Sequence, residues 1–370
     1  MRNFITPFLF FLLSFIFSCS EDVNEAIEDA VIIDPNPDQN ELYFPPVTSE
    51  EWETITITNL GWNTAAEQTL YNFLEEKDTK AFIILKNGKI VVEKYFNGGS
   101  VSDNNPWYSA GKTLTAFTVG LAQQEGLLDI NESSATYLGT QWANIATDQE
   151  QAITVRNHLT MTTGLDYTNI LLQNCINFDC LTYLNEPGSF WYYHNAAYTL
   201  LTDIVAEAVN TDYNSYFDTK LKSKIGMNGT WVNIGYTNIY YSTARSMARF
   251  GLLNLNKGTW NNTQILKDQN YFTQMITTSQ NLNQSYGYLW WLNGKSNFRA
   301  PAFENEFSGE LIPAAPDDLI AGLGKNDQKL YIVPSKNLVI IRMGDDTGQA
   351  LLGPSSFDND LWIKINALIN

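Results

Sequence analysis

The hydroxyl of Ser109 and the amine of Lys112 form the first pair in this sequence whose types and spacing could do chemistry. They stand in Pro106-Trp107-Tyr108-Ser109-Ala110-Gly111-Lys112, where a helical pattern (Leu114, Phe117, Leu121) begins and runs until Gly126. On the first turns of a helix, positions i and i+3 share a face, so the amine can reach the hydroxyl. Burial there favours a neutral amine that can accept the serine proton. The orphan N–H groups of the helix N-terminus can stabilise an oxyanion. The implied chemistry is attack of a serine on a carbonyl. Ser109 is the only serine followed by Lys at i+3; a chain of this length holds about one such pair by composition alone, so context must decide.

Other chemistries have little to draw on. Only His158 and His194 could serve a Ser-His-Asp triad, and there is no Gly-x-Ser-x-Gly elbow. Three Cys, two His and the lack of HExxH or paired CxxC leave no zinc site, and no metal or cofactor is expected. With 22 Lys and Arg against 40 Asp and Glu the formal charge is −18, which argues against a nucleic-acid partner. At 44% hydrophobic residues the chain can fill a core, which argues against disorder.

The elements that must position this pair read as follows. Residues 1–18 have the form of a signal peptide, with Arg2 before an apolar run from Phe4 to Phe17. Ile16-Phe17-Ser18-Cys19 resembles a bacterial lipobox, which would put a lipid on Cys19 as the only membrane attachment. The expected address is the cell envelope of a Gram-negative bacterium, on the periplasmic or the outer side. Residues 19–46 are acidic and Pro-containing, the composition of a tether, and the folded domain is expected over 47–370 with packing from about Trp52. Ala81–Phe96 reads as two strands joined by Asn87-Gly88, the pair suited to a type I′ turn. Helical patterns dominate about 113–265, among them Leu200, Ile204 and Ala208, and strands return in 329–334 and 338–341. Strands from both chain ends around a mainly helical insertion make an α+β fold with an antiparallel sheet. Cys175 and Cys180 could close a small disulfide loop in an oxidising compartment or remain as two buried thiols. Tyr286–Trp291 could line a pocket or fill the core.

Several blocks in order resemble the serine β-lactamase and penicillin-binding-protein superfamily, in the class C-related branch that holds esterases and 6-aminohexanoate-dimer hydrolases. They are Ser109–Lys112 leading into Gly126-Leu127-Leu128-Asp129-Ile130-Asn131, then Leu159–Leu165, Pro187–Asn195, Ala248–Leu253 and Tyr286–Trp291. The resemblance runs from about Leu60 to the C-terminus. It implies a β-lactamase/transpeptidase-like fold and an acyl-enzyme on Ser109. It makes Tyr193, in Tyr193-His194-Asn195, the phenol that exchanges protons, with Lys112 beside it to stabilise a phenolate. It gives Asn195 the role of holding Lys112 and the substrate. The family's third motif falls on Gly322-Leu323-Gly324-Lys325, with Gly322 where a Lys or His often stands and Lys325 as a substitute charge. The N–H after Gly324 would join that of Ser109 in an oxyanion hole. The missing cation at 322 favours cleavage of a small-molecule or peptide-like ester or amide over a penicillin-interactive DD-peptidase or β-lactamase. A non-catalytic binding lipoprotein on the same fold is the alternative outside enzymology.

Overall fold

The computed structural model describes residues 41–348 and 354–370. The signal segment, Cys19 and the tether up to residue 40 lie outside the described residues. Six antiparallel strands form the main sheet, in the order 89–95, 79–86, 338–344, 328–333, 320–324 and 291–292. The order follows the expectation from both chain ends: Ile83 pairs with Ile341 across almost the whole sequence. Asn87 and Gly88 take the left-handed conformation (φ 51° and 79°) at the tip of the first hairpin.

Each face of the sheet is covered by helix. Helix Ala244–Leu255 packs on one face so closely that a Cβ at Gly251 would lie 2.4 Å from Val339 Cγ1. On the other face the terminal helix Ser356–Ile369 brings Trp362 edge-on to Tyr331 (5.7 Å) and Phe357 parallel to Phe73 of helix Glu67–Glu76 (5.6 Å). Helix Lys112–Gln124 is buried from Lys112 through Ala122, which explains why its sequence is apolar nearly all round.

One expectation is corrected. The tether does not run to residue 46: Tyr43 N donates to Asn87 O (3.0 Å), Phe44 meets Trp260 edge-on (5.2 Å), and Pro46 O accepts from Arg249 (3.0 Å). Arg249 is buried and needs acceptors, and the backbone carbonyls of Pro46, Ser49 and Ile225 supply them. Strands also occur within the stretch 113–265, where helix dominates. Strands Thr230–Ile234 and Thr237–Ser242 form a hairpin that pairs with Asn105–Pro106, just before Ser109. Their Thr, Ile, Trp and Tyr content favours strands, and left-handed Gly235 makes the turn.

Candidate active site

Ser109 lies in a 3₁₀ turn, Tyr108–Gly111, rather than in the helix proper, which begins at Lys112. The turn is wedged between two sheets. From one side Trp107 donates its backbone N–H to Tyr240 O (2.8 Å) and its indole N–H to Ser242 Oγ (2.7 Å). From the other, strand Ile320–Gly324 presses in, and a Cβ at Gly324 would fall 2.4 Å from Trp107 O. Glycine is required there for close approach. Tyr108 pays for the geometry with a left-handed backbone (φ 46°), a strain that functional turns tolerate when their surroundings fix them.

Lys112 Nζ lies 3.0 Å from Ser109 Oγ and 3.0 Å from Asn195 Oδ1. It is 3% exposed, and no carboxylate lies within ion-pair distance of it among the described residues. The rings of Tyr198 and Tyr193 flank it, at 4.3 and 5.0 Å from their centres. Burial therefore pushes its pKa down to about 7. The Tyr193 hydroxyl is within hydrogen-bonding reach of Ser109. Burial raises the Tyr193 pKa, and the bond to Ser109 offsets only part of that rise, so the phenol stays protonated. Desolvation is the larger of the two effects.

Asn195 is the first residue of helix Asn195–Val209. Its amide nitrogen donates to Asn174 Oδ1 (2.8 Å), which turns its oxygen toward Lys112. His194 caps the same helix: Nδ1 accepts from Ala197 N–H (3.3 Å), leaving Nε2–H to donate to Asp166 O (3.1 Å). His158 donates Nδ1–H to Ala197 O (2.7 Å), and burial pushes its pKa down to about 4. Both imidazoles are thus neutral structural groups away from Ser109. Tyr286, Tyr288, Trp290 and Trp291 are core rather than pocket; Trp291 stacks on Tyr193 at 5.8 Å and fixes its ring.

A cleft of about 240 Å³ opens over Ser109, lined by Tyr193, Asn195, Lys325, Ile170, Gln173, Asn174, Pro301 and Ala302. Of the third motif only Lys325 reaches it, its ammonium 6.0 Å from the Tyr108 ring centre. Leu323 is buried, and a Cβ at Gly322 would meet Thr113 Cγ2 at 3.2 Å and Ala110 O at 3.4 Å. Sequence reasoning missed the contributions of 170–174 and 301–302. The first had a marker, since Cys175 and Cys180 are disulfide-bonded directly after it; nothing in the sequence marked the second.

These features belong together in one class, and the comparisons agree. The Beta-lactamase family model matches residues 74–349, three quarters of the sequence, and the chain belongs to that family. Its fold is that of a Bacillus anthracis protein that carries the name 6-aminohexanoate-dimer hydrolase (TM-score 0.65, 22% identity, covering 88% of this chain and 89% of that one). It is also similar to a Bacteroides dorei protein that carries the name β-lactamase (0.65, 14%, 84% and 99%) and to the penicillin-binding protein from Bacillus halodurans (0.56, 14%, 80% and 99%). No curated protein matches the sequence.

Proposed function

We propose that the protein is a serine hydrolase that opens an ester or amide bond through an acyl-enzyme on Ser109. The supporting observation is the buried, unpaired Lys112, held 3.0 Å from the Ser109 hydroxyl by Asn195. In its neutral form it takes the serine proton as Oγ bonds to the carbonyl carbon. Tyr193, which lines the same cleft as Ser109, hands a proton to the leaving oxygen or nitrogen as that bond breaks and regains one through Lys112. The backbone N–H groups of Ser109 and Lys325 hold the oxyanion, a role the close contact of Gly324 with the nucleophile turn supports. Water then adds to the acyl carbon by the reverse path and frees Ser109. The absence of a cation at 322 supports esters or amides over penicillins. The expected route to the cell envelope, with lipid on Cys19, is part of this reading; incorporation of labelled palmitate that Cys19→Ala abolishes tests it.

Purified protein should hydrolyse an activated ester and be labelled by a fluorophosphonate, and Ser109→Ala should lower kcat by at least about 10³-fold and abolish the label. An unchanged rate in Ser109→Ala would overturn the reading. Stable acylation by a labelled penicillin would move the substrate to the DD-peptidase or β-lactamase alternative.

A further inference from the structure

The cleft is small, and its walls do not end at its mouth. At about 240 Å³ it is below the range usual for drug-sized ligands, so it holds the reacting group and a few carbons. Ile170 on one wall continues into Leu171 and Leu172. The three are consecutive and exposed, Ile170 at 63% and Leu171 at 87%. On the other wall Pro301 and Ala302 continue into Phe303, 54% exposed and edge-on to Phe307 at 5.8 Å. An aromatic stack joins the two lips. Tyr167 lies on Tyr192 (3.9 Å) and Phe190 (5.5 Å), Gln173 donates to Tyr167 O (3.1 Å), and the Arg299 guanidinium sits 5.3 Å from the Phe190 centre. The first lip is further pinned by Ala196 N–H donating to Gln173 O (2.8 Å) and by the 175–180 disulfide. Among the described residues no carboxylate lines the cleft, although the whole chain is strongly acidic.

We propose that these lips are an extension of the substrate site, and that the preferred substrates are esters or amides carrying an extended apolar chain on one side of the scissile bond. Contiguous exposed apolar side chains are unusual on a soluble surface and mark binding. Here they share Ile170 and Ala302 with the cleft over the nucleophile, so the group that covers them is the part of the substrate the cavity cannot hold. The proposal rests on the hydrolase reading above for the bond that is broken, but not for the binding.

The test is a chain-length series below the critical micelle concentration: p-nitrophenyl alkanoates from acetate to decanoate, and acetates of the matching alcohols. A fully buried methylene is worth roughly a fourfold gain and a half-exposed one about twofold. The expected result is that kcat/KM rises at least about tenfold from two to eight carbons in one series. Leu171→Ser and Phe303→Ser, both at exposed positions, should each cut the octanoate-to-acetate ratio, or its alcohol-side equivalent, by about fivefold. In parallel, Kd for N-methyloctanamide against N-methylacetamide is measured by calorimetry on Ser109→Ala. Tighter binding of the longer amide there, with no hydrolysis of any ester by the parent protein, would leave the lips standing and overturn the hydrolase reading. Hydrolysis that is flat in both series, with equal Kd values, would overturn the lips alone. A rise that appears only above the micelle concentration, or that neither rim variant changes, would also overturn them.

Discussion

Among the described residues two lysines are buried, and their surroundings are opposites. Lys329, on the central strand 328–333, is fully enclosed and reaches Asp327 and Asp358, each at 2.9 Å; Tyr331 also donates to Asp358, and Ser355 and Thr347 donate to Asp327. Lys112, a few strands away, is as deeply buried and has only uncharged neighbours. A buried charge must be paired or must neutralise itself. The first lysine takes the former course and clamps the terminal helix to the sheet. The second takes the latter, and the free energy withheld from its charge becomes basicity available near neutral pH. The same residue type is thus a fastener in one place and, in the proposed function, a reagent in the other, and the difference is two carboxylates.

The largest expected effect tests the reagent. Lys112→Arg keeps a cation but cannot shed its proton, so kcat should fall about 10²–10⁴-fold in an ester assay. The parent's kcat/KM should fall about tenfold per pH unit below about 7, because the proton returns to Lys112 there. An arginine variant of normal activity would erase the contrast. The sign for stability agrees: an unfolded lysine keeps its proton to about 10.5 and the folded Lys112 only to about 7, so the Lys112 contribution to stability rises with pH across that window.

Next comes the fastener. Asp358→Ala strands part of a buried charge cluster and should cost about 3–5 kcal/mol in urea unfolding; an unshifted midpoint would remove the distinction. Burial alone would raise the Asp327 carboxyl, but the Lys329 charge and the Thr347 and Ser355 hydroxyls hold it below the usual range. Its contribution is therefore complete above about pH 4 and is lost as pH falls through the lower folded value, the same direction as for Lys112 but in a more acidic window. The smallest effect concerns the loop beside the reagent. Replacing Cys175 and Cys180 with Ser should cost about 2 kcal/mol, the loop-closure value for so short a ring. It should also raise KM severalfold by loosening Asn174 from Asn195, and unchanged KM would show that the loop holds its place without the bond.

The reagent was legible in sequence and the fastener was not. Ser109, Lys112, Tyr193 and Asn195 stand in blocks whose order resembles a family, and the hairpin at Asn87-Gly88 declares itself by turn chemistry. Lys329, Asp327 and Asp358 lie in ordinary strand and helix patterns, and their meeting depends on sheet register, which periodicity does not set. The surroundings of Tyr193 are hidden for a similar reason: Trp291 and Tyr286, which pack against it, come from a segment about a hundred residues later. Residues 301–302 reach the cleft by a loop path that no local signal encodes.

The pairing of Ile83 with Ile341, and of Gly324 with the turn before Ser109, has a consequence for how the protein comes into being. A ribosome releases Ser109 and Lys112 long before the strand that braces them. Until the last fifty or so residues emerge, the hydroxyl and amine have no wall behind them, and under the proposed function the growing polypeptide stays chemically silent. Truncation anywhere before residue 320 should therefore yield an inert chain, so activity would report that synthesis was finished.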